Sequence, residues 1–219
     1  MLAVNRNLIY RQELKRKVHS PVKAVKTLPD NYQEVIQINL QSDKKTAMFV
    51  NVMGVVVMIV VLALGHFIVP ITAVANDIDS GSYWVKLPVT FAAYASYVVL
   101  HELTHAVVMQ AVGGGKVRFG FTGMYAYAGS TEDYFDKIAY RCIALAPLAV
   151  WGIVFGILAA EIPADWFWVV WFLQAGNIGG AAGDVYVTVK LLKYPKTILV
   201  RDTGLDMTVF TDKGTCKDK

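Results

Sequence analysis

The pentad His101-Glu102-Leu103-Thr104-His105 lies inside a long apolar stretch of the chain. An ionisable group in such surroundings is costly unless it is paired or functional. On an α-helix, His101 and His105 are i and i+4, so both imidazoles project from one face and can share a tetrahedral Zn²⁺. Glu102 then borders the ion. A metal held by two neutral imidazoles keeps its positive charge and makes a bound water more acidic, and a neighbouring carboxylate can take the proton as general base. Two other readings stay open: two buried histidines bonded to helix neighbours, and a metal site without hydrolysis.

Composition extends the apolar theme. The 219 residues are 55% hydrophobic and 17% charged, with five Trp, and their mean hydropathy is +0.44. This is unlike a soluble domain of the same length. Four stretches, 47–70, 88–112, 139–160 and 165–190, are long enough to cross a hydrocarbon layer of about 30 Å as helices. The expectation is therefore an all-α polytopic membrane protein with four transmembrane helices, in three parts. A basic cytoplasmic arm spans 1–46, a four-helix metallopeptidase domain 47–190, and a cytoplasmic tail 191–219. The first span follows a long polar, basic stretch without a small-residue cleavage site, so it reads as an anchor.

Charge sets the expected orientation. Lys and Arg number nine in 1–46, one in 71–87, four in 113–141, none in 161–165 and seven in 190–219. The three basic segments predict cytoplasmic N- and C-termini, as in a bacterial cytoplasmic membrane, with the positive face on an anionic inner leaflet. The net charge of +4 comes without a nucleic-acid-binding motif, and nucleic acid is not an expected partner.

Of the 17 acidic residues, only Glu102 and Asp184 fall in the interior of the expected spans, Asp165 standing at the outer edge of the fourth. A catalytic zinc usually has three protein ligands, and the pentad supplies two. At 1.5 Å per residue, His105 and Asp184 lie about 26 and 29 Å along parallel spans, deep enough to meet. Asp184 is the expected third ligand, Glu161 a distant second; a salt bridge from Asp184 to Arg141 or Lys137 is the alternative. The residues from Gly176 to Asp184 are rich in glycine and alanine, and small faces allow close helix packing in lipid. Asn177, two turns before Asp184 on the same face, is expected either to hold a substrate carbonyl or oxyanion or to make an interhelical hydrogen bond. Pro147 predicts a kink that opens a path for water or substrate.

Gly113-Gly114-Gly115 ends the pentad helix, and Lys116 to Ala128 then alternates as a short hairpin does. A hairpin edge beside the metal would hold an extended substrate by strand addition; a simple interfacial hairpin anchored by its aromatic residues is the other reading. The glycines lack the Gly-Lys-Ser/Thr ending of a phosphate loop. Cys142 and Cys216 are assigned no role. Residues 1–27 suit an amphipathic surface helix or a disordered arm, and residues 195–219 a solvated tail.

Taken together, Leu28-Pro29-Asp30-Asn31-Tyr32, the pentad, the Gly114 to Phe121 segment, and Asn177 to Asp184 resemble the zincin peptidases, a family of small bacterial membrane proteins, over about 28–205. More distantly, the pentad with a downstream intramembrane Asp is similar to the site-2 proteases. That resemblance implies one Zn²⁺ per chain held by His101, His105 and Asp184, with Glu102 as base. The expected activity is hydrolysis of a peptide bond in a membrane or membrane-associated protein near the cytoplasmic face. The rivals are a non-proteolytic membrane protein with a structural or transport metal site, and an inactive protease-like adaptor.

Overall fold

A computed structural model describes residues 24–40, 42–123 and 126–214. Its elements in chain order are β1 (Ala24–Val25), β2 (Tyr32–Ile38), α1 (Lys44–His66), α2 (Thr72–Ser80), α3 (Tyr83–Gly113), β3 (Val117–Phe121), β4 (Ala126–Asp136), α4 (Lys137–Glu161), α5 (Phe167–Gly180), α6 (Ala182–Leu191), β5 (Leu199–Asp202) and β6 (Met207–Asp212).

The six strands form one antiparallel sheet in the order β1-β4-β5-β6-β2, with β3 also paired to β4. This overturns the all-α expectation. The hairpin predicted after the pentad helix does form, with Val117 opposite Ser130 and Phe121 opposite Ala126. It is, however, part of a sheet that also takes in the expected arm and tail. Residues 32–38 pair with 207–212, with Tyr32 opposite Asp212 and Ile38 opposite Met207. Each strand is short, and its partner for pairing lies elsewhere in the sequence, so no local period announces it. Residues 1–23 and 215–219 lie outside the described residues, and with them His19, Cys216 and most of the expected amphipathic arm.

The four-span expectation also gives way. Among the described residues, only α1 and α4 are long and apolar enough to cross a membrane. α3 covers the second expected span but carries Lys86, His101, Glu102 and His105. The fourth expected span is two helices, of 14 and 10 residues, that meet at Ala181. Neither reaches the roughly 20 residues that a crossing needs.

Local chemistry explains the helix starts. Asp43 caps α1 by accepting the Thr46 amide at 3.1 Å. Asp136 ends β4 and caps α4 by accepting the amides of Ile138 and Ala139 at 2.8 and 2.7 Å. Both caps occupy donors that a first helical turn leaves without helical partners.

One core cluster joins the sheet to the helix ends around it: Met109 from α3, Tyr140 and Ile143 from α4, Leu191 from α6, and Phe135, Val200 and Val209 from the sheet. A second, built on Tyr97, Phe155, Val170 and Leu173, holds α3, α4 and α5 together. α1 packs on α5, where Gly54 and Gly179 meet so closely that a Cβ on either would lie within 2.7 Å of the other's carbonyl oxygen. Its other face leaves Met48, Phe49, Val52, Ile59 and Val60 exposed.

Candidate active site

α3 carries the pentad on the face that looks into a cavity of about 620 Å³, bounded by α1, α3, the α5–α6 junction, β4 and the β5–β6 turn. His101 and His105 stand one turn apart, with ring centroids 4.9 Å from each other. Asp184, in the first turn of α6, faces both: its Oδ2 is 3.4 Å from His101 Nε2 and its Oδ1 is 3.6 Å from His105 Nε2. The position suits a carboxylate, because a helix N-terminus is electropositive. Among the described residues these imidazoles are the ion-pair partners of Asp184; Lys137 instead donates to the carbonyls of Leu192 and Tyr194. Glu161 is exposed at the far end of α4.

The ligand atoms of His101, Glu102 and His105 lie within 4.8 Å of one another. The Glu102 carboxylate faces the backbone N–H of Ala128 in β4, which sets the pentad beside the inner edge of the hairpin. β3 bonds the opposite edge of β4 over residues 126–130.

Each histidine is held through its Nδ1. His105 Nδ1 is 2.9 Å from the Ile143 carbonyl oxygen, so it carries the proton that it donates there. His101 Nδ1 is 2.9 Å from the Tyr97 hydroxyl, which donates to Asn177 Oδ1 at 2.9 Å. With the hydroxyl proton committed to Asn177, the His101 Nδ1–H donates to Tyr97. Both Nε2 atoms are left to face Asp184, and in the neutral imidazoles both would be free to take a metal. Around a tetrahedral zinc with bonds near 2.0–2.1 Å, two ligand atoms stand about 3.3–3.4 Å apart. The spacings at Asp184 approach that value, and the donor set of two imidazoles and a carboxylate is one that zinc takes.

Asn177 is fully buried and does not line the cavity. Its carboxamide accepts from Tyr97 and donates to the Leu148 carbonyl at 3.3 Å, so of the two sequence readings it follows the interhelical hydrogen bond. The small residues near it divide their work. Gly176 makes room for the Tyr94 ring of α3, whereas Gly179 faces Gly54 of α1.

Three side chains escaped the sequence reading. Tyr97 stands four residues before His101, and helical spacing alone puts it on the pentad face. Tyr140 and Asp202 also line the cavity, with the Tyr140 hydroxyl donating to Asp202 Oδ2 at 2.6 Å. Burial holds the Asp202 carboxyl above the usual carboxylate range, although bonds from Tyr140 and the Gly204 amide pull the other way. That pair joins positions 62 residues apart, and nothing local in the sequence marks it.

Neither the curated proteins nor the solved structures contain a match to this chain. Residues 94–199, which hold the pentad, Asn177 and Asp184, match the family described as "Putative zincin peptidase", and over that segment the recognition drawn from the motifs holds.

Proposed function

We propose that this chain is a membrane-embedded zinc metallopeptidase that hydrolyses a peptide bond of a membrane or membrane-associated protein near the cytoplasmic face. The observation that carries the reading is the convergence of two imidazole Nε2 atoms and one carboxylate at 3.4 and 3.6 Å, with Glu102 beside them in a cavity of about 620 Å³. His101, His105 and Asp184 would hold one zinc per chain. Bound there, the ion supplies Lewis-acid polarisation of water and of the scissile carbonyl. Glu102 takes the proton from the attacking water and delivers it to the leaving amine. The inner edge of β4, next to Glu102 through the Ala128 amide, receives an extended substrate segment by strand addition.

Membrane embedding rests on α1 and α4, whose apolar surfaces would face lipid. The sheet is built from the three segments that carry most of the Lys and Arg, which supports one basic, cytoplasmic side holding both termini against an anionic leaflet.

The test is the zinc content of detergent-purified protein, wild type against His101→Ala and Asp184→Ala, together with cleavage by Glu102→Gln. One zinc per chain, lost in both ligand variants, and cleavage abolished in Glu102→Gln with zinc retained, is the expected result. Zinc that survives Asp184→Ala sinks the third-ligand assignment. Full cleavage by Glu102→Gln sinks the role of the base.

A further inference from the structure

Pro147 stands in the middle of α4, fully buried. In a regular helix the amide of residue i bonds the carbonyl of residue i−4, so the Ile143 carbonyl would bond the amide of residue 147. Proline has no amide hydrogen, and its ring crowds the carbonyl four residues earlier. Ile143 is 1% exposed, so its carbonyl has little access to water. A buried carbonyl without a donor is costly. The donor is His105 Nδ1, at 2.9 Å.

We infer that Pro147 is a positioning residue for His105: its missing amide frees the Ile143 carbonyl to hold the His105 Nδ1 proton, which aims Nε2 at Asp184. The inference rests on the metallopeptidase reading for its purpose. The hydrogen-bond device itself can be tested without metal. α4 also serves the other histidine, because the Leu148 carbonyl takes the Asn177 amide that steadies Tyr97 and through it His101. Two carbonyls of one helix thus anchor both imidazoles through their remote nitrogens, that of Ile143 directly and that of Leu148 by way of Asn177 and Tyr97. Partners of this kind typically change metal affinity 10–100-fold when removed.

Alanine at 147 restores an amide that competes with His105 for the Ile143 carbonyl. The test compares wild type, Pro147→Ala, and a variant with an α-hydroxy acid at 147, whose ester linkage has neither the amide hydrogen nor the ring. Two quantities are read for each full-length protein: zinc affinity, by competition with a chromophoric chelator, and solvent exchange of the ¹⁵N-labelled His105 Nδ1 proton in the metal-free state. Pro147→Ala should weaken zinc by about tenfold or more and speed Nδ1 proton exchange by a similar factor, and the ester variant should restore both. Faster exchange in Pro147→Ala from a wild type that binds no zinc supports the hydrogen-bond device while sinking the metallopeptidase reading. Zinc affinity and proton exchange both unchanged in Pro147→Ala overturn the inference. An ester variant that behaves like Pro147→Ala also overturns it, since the effect would then belong to the shape of the ring.

Discussion

Tyr97, His101 and His105 follow one another at four-residue intervals along α3, and that spacing puts all three on the cavity face. Asp184 was legible for a different reason: apart from Glu102 it is the acid that falls inside an apolar stretch, where burial makes an unpaired carboxylate untenable. Asn177 was legible as important but not in its role, because a carboxamide serves substrate and helix partner equally well until its neighbours are known. With Asn177 replaced by alanine, the Tyr97 hydroxyl and the Leu148 carbonyl lose their partner. We expect a loss of about 1–3 kcal/mol in stability and a 10–100-fold loss in zinc affinity, read by thermal unfolding and chelator competition. Destabilisation with zinc affinity intact would show that Asn177 does not act through His101.

The turn after α3 shows why its glycines are adjacent. Gly114 has φ +68°, a left-handed conformation that favours glycine, while a Cβ on Gly115 would lie 2.0 Å from Asp133 Oδ2. Asp133 is fully buried and binds Lys26 Nζ at 2.6 Å, the Ser130 hydroxyl at 2.8 Å and the Gly115 amide at 3.1 Å, so it joins β1, β4 and the turn. Gly115→Ala should therefore cost about 1–3 kcal/mol in thermal or denaturant unfolding; a neutral effect would mean that Asp133 can move aside. At the opposite end of α3, the hydrogen bond from Lys86 Nζ, with help from Ser82, holds the Asp77 carboxyl below its usual range against the cost of desolvation. A depressed folded-state pKa contributes stability that is full above the unfolded value and disappears as pH falls through the folded one. Unfolding measured between pH 6 and pH 3 should show a smaller acid-side decline in Asp77→Asn than in wild type; equal declines would remove this latch from the account.

For the molecule as a whole, the sheet gathers the expected arm, the hairpin and the expected tail into one layer at one end of the helices. α2 lies beyond the other end of α1. If α1 and α4 cross a membrane, a cysteine at Ser80 and one at Leu205 lie on opposite sides. Labelling in intact cells with an impermeant thiol reagent, in a background without Cys142 and Cys216, should mark Ser80→Cys at once and Leu205→Cys after permeabilisation only. Equal labelling before permeabilisation would sink the crossing.

The pentad, the lone acid downstream, the hairpin after the glycines and the two apolar helices α1 and α4 were determined by the sequence itself, because each depends on spacing or composition within one stretch. Tertiary structure decided the rest. Strand pairing between residues 32–38 and 207–212, and the anchors of His105 on Ile143 and of His101, through Tyr97, on Asn177, join segments far apart in the chain. Hydrogen bonds across such distances satisfy buried donors and acceptors whose partners no local pattern can name.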